Sequence, residues 1–153
     1  MSYMLKPFEK QDLIDMDLRD YERHEFSFLG GGIDVFATAY MQGPGFTLMF
    51  EDKVVASAGV MVLWSGVGEA WFRGSPLIYK FGHTKKVILS SVEGFKMIKD
   101  SGFWRIQCTI LKDWQPAIRY VNRLGFKYEG EMRMYGPDKR DFLRYALVDD
   151  PEE

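Results

Sequence analysis

The sequence predicts an α/β chain, a mixed and mostly antiparallel sheet with helices packed on it, in the order β-α-α-β-β-β-α-β-α-β-β. Three observations carry this prediction. Residues 46–75 hold three consecutive bulky runs separated by tight turns, which implies an antiparallel meander. Residues 84–101 carry the longest helical period in the chain. A strand pattern follows that helix, and a helix between two strands makes a parallel crossover.

Taken in order, Tyr3–Leu5 reads as a short strand broken by Lys6-Pro7. Glu9–Glu22 reads as one helix, acidic in its early turns, with Leu13, Met16 and Tyr21 roughly on one side. Gly30-Gly31-Gly32 resets the chain, and Ile33–Met41 forms a second short helix ended by Gly43-Pro44-Gly45. Phe46–Glu51 and Val54–Trp64 flank the hairpin connection Asp52-Lys53. Ser65–Gly68 is the next turn and Glu69–Ser75 the third strand.

Thr84–Ser101 is a helix with Ile88, Val92, Phe95 and Ile98 at helical spacing and Gly102 as its C-terminal cap. Phe103–Leu111 is a strand with Ile106, Cys108 and Ile110 on one face. Pro116–Leu124 is a short helix with proline in its first turn and Gly125 past its end. Phe126–Tyr135 and Phe142–Val148 close the sheet as a hairpin around Gly136-Pro137-Asp138-Lys139. Residues 1–148 read as a single domain and residues 149–153 as an acidic tail.

Hydrophobic content of 46% and charged content of 27% exclude a disordered chain. A formal net charge of -2 argues against a general nucleic-acid binder. The lone cysteine, Cys108, excludes an intrachain disulfide and a cysteine-based zinc site, and no metal is expected. Cys108 reads as a small core hydrophobe rather than a nucleophile. The longest apolar-rich run, Val54–Trp64, falls well short of the ~20 residues that span a bilayer. The N-terminal residues show no signal-peptide core, so a soluble cytoplasmic protein is expected.

Function centres on Glu69–Lys86, a strand running through a glycine-containing loop into a helix start. Backbone N–H groups and the helix dipole converge at such a place on an anion, and Lys80, Lys85 and Lys86 add positive charge.

With Ala117-Ile-Arg-Tyr-Val-Asn-Arg-Leu-Gly-Phe126 ahead of the last hairpin, the chain resembles the GNAT (Gcn5-related) N-acetyltransferase superfamily over nearly its whole length. The most telling pieces are Arg123-Leu124-Gly125-Phe126 and the position of Glu69–Lys86 before the long helix. More narrowly, Ala70-Trp71-Phe72, Ser75 and the lysine-rich helix start resemble small GNAT-like proteins of tailed bacteriophages and prophages. Met132–Asp138, Asp141 and Tyr145-Ala146 point the same way, and some of those proteins are internal virion proteins.

The resemblance implies acetyl-CoA as cofactor. Its pantetheine arm would lie along Glu69–Ser75, where that strand splays from Phe103–Leu111. Its pyrophosphate would sit in a loop whose nearest register is Tyr79-Lys80-Phe81-Gly82-His83-Thr84. Of the loop signature only Gly82 is kept; Tyr79 replaces a basic or amide residue and Thr84 a small one. The implied cofactor-binding residues are Phe72, Arg73, Gly74, Lys80, Gly82, His83, Thr84 and Lys85. The family tyrosine that protonates the departing thiolate falls on Val121. Tyr120 is one residue away, about 100° around the helix. Glu69 lies near where some members place a general base, so Glu69 and Tyr120 are the catalytic candidates.

Each residue has a plainer alternative. Glu69 is otherwise a solvated strand-end carboxylate, and His83 an ordinary loop histidine. Arg73 either points into the cleft or pairs internally with an acid. Glu129, Glu131 and Arg133 fit a solvated sheet face. Trp64, Trp71, Phe72 and Trp104 fit core filling, and an exposed subset would mark a protein-binding surface. Two readings follow. One is an N-acyltransferase acting on an amine substrate. The other is a catalytically inactive GNAT fold serving as a phage structural or assembly protein with a phage or host partner, in the host cytoplasm or the virion.

Overall fold

A computed structural model of the chain describes residues 2–28, 32–80 and 82–149. Gly30 and Gly31 of the expected chain reset, Phe81 of the loop, and residues 150–153 of the acidic tail lie outside the described residues. The elements run β1 (Tyr3–Pro7), α1 (Lys10–Ile14), α2 (Asp20–Phe28), α3 (Gly32–Tyr40), β2 (Gly45–Phe50), β3 (Lys53–Trp64) and β4 (Val67–Gly74). After a 3-10 turn at Pro76–Tyr79 come α4 (His83–Asp100), β5 (Arg105–Leu111), α5 (Gln115–Arg123), β6 (Lys127–Met132) and β7 (Phe142–Val148).

Seven strands form one mixed sheet in the order β1-β2-β3-β4-β5-β7-β6. The β4–β5 pair is parallel and bridged by α4, as the crossover pattern predicts; the other pairs are antiparallel. Successive side chains on β4 fall on opposite faces of the sheet. Trp71 joins Phe8, Leu13, Met16 and Tyr40 in a core beneath α1–α3. Phe72 packs on the other face with Val87 of α4 and Tyr120 of α5. Among the described residues no helix is long and apolar enough to cross a membrane.

The first strand does not break at Lys6-Pro7: β1 runs through both, pairing them with Thr47 and Phe46, and its place at the sheet edge tolerates the proline. Two helix expectations also need correction. The single helix over Glu9–Glu22 is two helices with an irregular connection at Asp15–Arg19. Leu13, Met16 and Leu18 are all buried in one core. Leu13 and Leu18 would stand about 140° apart on a continuous helix, so the chain breaks to turn Leu18 inward. Asp12 fixes where the first helix starts, as the return half of a capping box: its carboxylate accepts from the Glu9 N–H at 2.8 Å and from Lys6 Nζ at 2.7 Å.

The second correction concerns α4. Its buried stripe is Val87, Ser91, Gly94, Phe95 and Ile98, whereas Val92 is exposed. Small residues as well as large ones mark the contact side, because Gly94 lets the Phe46 ring approach to where its Cβ would stand. Of the tryptophans, Trp71 is buried, while Trp64 and Trp104 are exposed at the β3–β4 turn. Gly66 makes that turn at φ 81°, and a Cβ there would lie 2.3 Å from the Trp104 ring. Both the dihedral and the contact demand glycine.

Candidate active site

The site begins where one strand pair stops. Parallel pairing of β4 with β5 lasts through Val67↔Arg105, Gly68↔Ile106 and Glu69↔Gln107, and no further. Past Glu69, β4 stays in register with β3 as far as Gly74↔Ala56, while β5 follows β7 as far as Leu111↔Phe142. Each strand keeps its outer partner and the inner edges part. A cavity of about 1500 Å³ opens along the splay, lined by Glu69, Phe72, Thr84, Cys108, Trp114 and Tyr120 among others.

Glu69 stands at the fork. Its Oε1 accepts from Gln107 Nε2 at 3.0 Å and from Arg144 at 3.1 Å. Gln107 Oε1 accepts in turn from Arg105 Nε at 2.8 Å, and Arg105 grips Glu129 through two bonds of 2.9 and 2.5 Å. The carboxylate is thereby held in one orientation by donors from β5 and β7. Glu129 belongs to this chain of contacts, and Arg105 holds its carboxyl below the usual range.

Tyr120 reaches the opposite wall. Its ring packs 4.7 Å from that of Phe72, and its hydroxyl donates to Ser91 Oγ at 2.7 Å. Burial pushes that hydroxyl above its ordinary pKa. Burial likewise pushes the Cys108 thiol up to about 12, which keeps it protonated and suits its place in the apolar core.

The cofactor candidates divide. Phe72, Arg73 and Thr84 line the cavity. Arg73 takes the internal alternative: it pairs with Glu25 at 2.7 Å, donates to the Tyr40 hydroxyl at 3.0 Å and lies over the Phe26 ring. Gly74 gives its N–H to Glu22 at 3.1 Å. Gly82 caps α4 in the left-handed conformation, at φ 75°, with exposed Lys80 and Lys85 near it. His83 turns inward instead, bonding the Tyr3 hydroxyl through Nδ1 and packing on Phe50. The Thr84 hydroxyl donates to the Ile78 carbonyl.

Sequence reasoning missed Arg19, Glu22, Gln107, Arg144 and Trp114. Arg19 and Glu22 are three apart, a spacing that reads as an ordinary helix-surface pair. In the fold the Glu22 side chain is 1% exposed.

This architecture is the GNAT fold. No family model and no curated protein sequence matches the chain. Among solved structures, it is similar to a GNAT-family acetyltransferase from Streptococcus pneumoniae, with TM-score 0.68 and 11% identity over 97% of this chain and 100% of that one. A Bacillus subtilis acetyltransferase in complex with CoA gives TM-score 0.69 and 12% identity over 97% and 100%. A Salmonella typhimurium protein solved with its cofactor acetyl-CoA gives 0.70 and 14% over 99% and 96%. At these identities the likeness is one of fold.

Proposed function

We propose that the protein is an N-acetyltransferase that takes acetyl-CoA as acyl donor and an amine as acceptor. The observation that carries this reading is the splay past Glu69↔Gln107 with its cavity, the place that the family resemblance assigns to pantetheine. The residues present fit such a group. The slot is largely apolar in its lining. Gly82, Lys80 and Lys85 surround a helix N-terminus suited to a pyrophosphate. Neither Trp71 nor Phe72 closes the slot: Trp71 is stacked on Tyr40 and Phe72 lies against Tyr120. Trp71 Nε1 is buried on the cavity wall without a hydrogen-bond partner among the described residues.

Bound there, acetyl-CoA would supply a thioester carbonyl to an attacking amine; as the C–N bond forms the C–S bond breaks, and CoA would leave as a thiolate that takes its proton from solvent. Glu69, aimed by Gln107 and Arg144, accepts the proton that the amine must lose. The apolar lining excludes water from the acyl group. Tyr120 supplies packing rather than a proton, since its hydroxyl is committed to Ser91. The cytoplasm, where acetyl-CoA is made and used, is the natural place for this activity.

A second reading is favoured by two specific contacts. The Gly74 N–H is occupied by Glu22 and the Tyr120 hydroxyl by Ser91. A GNAT fold retained as a phage structural or assembly component would tolerate both. Acetyl-CoA titration by calorimetry separates the readings, with micromolar affinity expected of the enzyme. An absence of binding at millimolar acetyl-CoA would exclude it. In the enzyme, Glu69→Gln lowers kcat by ~10²–10⁴-fold with acetyl-CoA affinity unchanged.

A further inference from the structure

The slot between β4 and β5 already holds a side chain of this protein. Arg19 leaves the α1–α2 connection and lays its guanidinium across the splay. Its central carbon stands 4.9 Å from the Trp114 ring centroid and 5.6 Å from that of Phe72. A Cβ on Gly74 would lie only 3.4 Å from it. The donors are directed inward: Nε and one terminal nitrogen bond Glu22 at 2.8 and 2.5 Å, and the other donates to the Tyr79 hydroxyl at 3.0 Å. Glu22 in turn takes the Gly74 N–H. The pair therefore bars the splay beside Gly74 with a planar cation that lines the cavity, and also occupies a strand N–H that the splay exposes.

We propose that the Arg19–Glu22 pair is a latch that bars the Gly74 end of the slot in the free protein and swings aside when the cofactor chain enters. The inference rests on the acetyl-CoA reading above and adds a gating contact to it. A waiting phosphate ligand would present a free fork, whereas this guanidinium has spent its fork on Glu22 and the pair carries no net charge. A buried ion pair contributes little net stability once both charges leave together, so the latch can open without unfolding what surrounds it. The moving parts are the Asp15–Arg19 connection, which has no regular structure, and the first turn of α2, which carries Glu22. The rest of α2 remains tied to β4 through Glu25 and Arg73.

Two measurements test the latch. CoA is titrated by calorimetry into the wild-type protein and into Arg19→Met/Glu22→Leu, which removes both charges with volume roughly kept. The variant is expected to bind at least about tenfold tighter, a difference of about 1.4 kcal/mol. Equal or weaker binding by the variant, with the wild type still binding, overturns the latch and leaves the cofactor reading standing. Binding by neither protein overturns both. Trypsin needs no variant: the Arg19–Asp20 bond, shielded while the guanidinium is buried, is expected to be cut faster under saturating CoA. Cleavage there that is unchanged or slower overturns the latch, whether or not the double variant folds.

Discussion

The two walls of the splayed cavity are held by different chemistry. On the α2 side, carboxylates three residues apart both reach toward β4: Glu22 holds Arg19 and the Gly74 N–H, and Glu25 holds Arg73. On the α4–α5 side the contacts are Phe72, Val87 and Val121, with one neutral hydrogen bond between Tyr120 and Ser91. An apolar wall loses stability in proportion to the volume removed. A charged wall behaves otherwise, because removing one partner strands the other, while removing both relieves the desolvation that each charge suffered. The charged wall is thus the one that can open, and the apolar wall is the fixed frame against which it closes.

The largest expected effect breaks the charged wall by halves. Glu22→Ala leaves a buried guanidinium without its partner and should cost about 3–5 kcal/mol in denaturant unfolding. Arg19→Met/Glu22→Leu should come within about 1 kcal/mol of the wild type, or exceed it. If the double variant is as unstable as the single one, the pair is a net stabiliser and the contrast between the walls is lost.

The apolar wall should reveal itself at high pH. Burial raises the Cys108 thiol from 9.0 to about 12 and also raises the Tyr120 hydroxyl. Both groups hold their protons more tightly folded than unfolded. Their contribution is therefore complete below the unfolded thiol value and is lost as pH climbs from about 9 toward about 12. A loss on the order of 2 kcal/mol by about pH 10.5 is expected from the thiol alone, read from denaturant midpoints. Cys108→Val should flatten that loss. An unchanged slope in the variant would mean that the thiol reaches water.

The apolar wall was also the more legible one. Alternation on β5 placed Ile106, Cys108 and Ile110 inward, and helical period with terminal glycines located α4 and α5, because those signals are local. Even there, Val92 was misplaced, since the contact face of α4 is carved from Ser91 and Gly94 and pattern reading favours large residues. The charged wall left no local trace. Arg19 and Glu22 look like surface charges until β4 arrives from 52 residues away to take the carboxylate. His83 looked like a loop residue for the same reason, its partner Tyr3 being 80 residues distant. Glu69 was reachable because it sits at a strand start that the family resemblance marks, but Gln107 and Arg144, which aim it, come from strands joined only by the fold.

The smallest effect asks what Tyr120 does. Its hydroxyl lies on the cavity wall, one helix position from where the GNAT resemblance would set an acid, and is bonded to Ser91 rather than turned into the slot. Tyr120→Phe removes that bond and leaves the ring packing on Phe72 in place, so a loss of about 0.5–1.5 kcal/mol is expected. If the hydroxyl is structural, acetyl transfer should survive the change with a kcat near that of the wild type, in contrast to the ~10²–10⁴-fold loss expected for Glu69→Gln. A kcat loss for Tyr120→Phe as large as that for Glu69→Gln, at unchanged acetyl-CoA affinity, would mean that the hydroxyl leaves Ser91 during turnover and protonates the thiolate. The apolar wall would then carry chemistry as well as shape. Comparing the two variants at one pH, with binding and turnover measured separately, separates a packing residue from a proton donor.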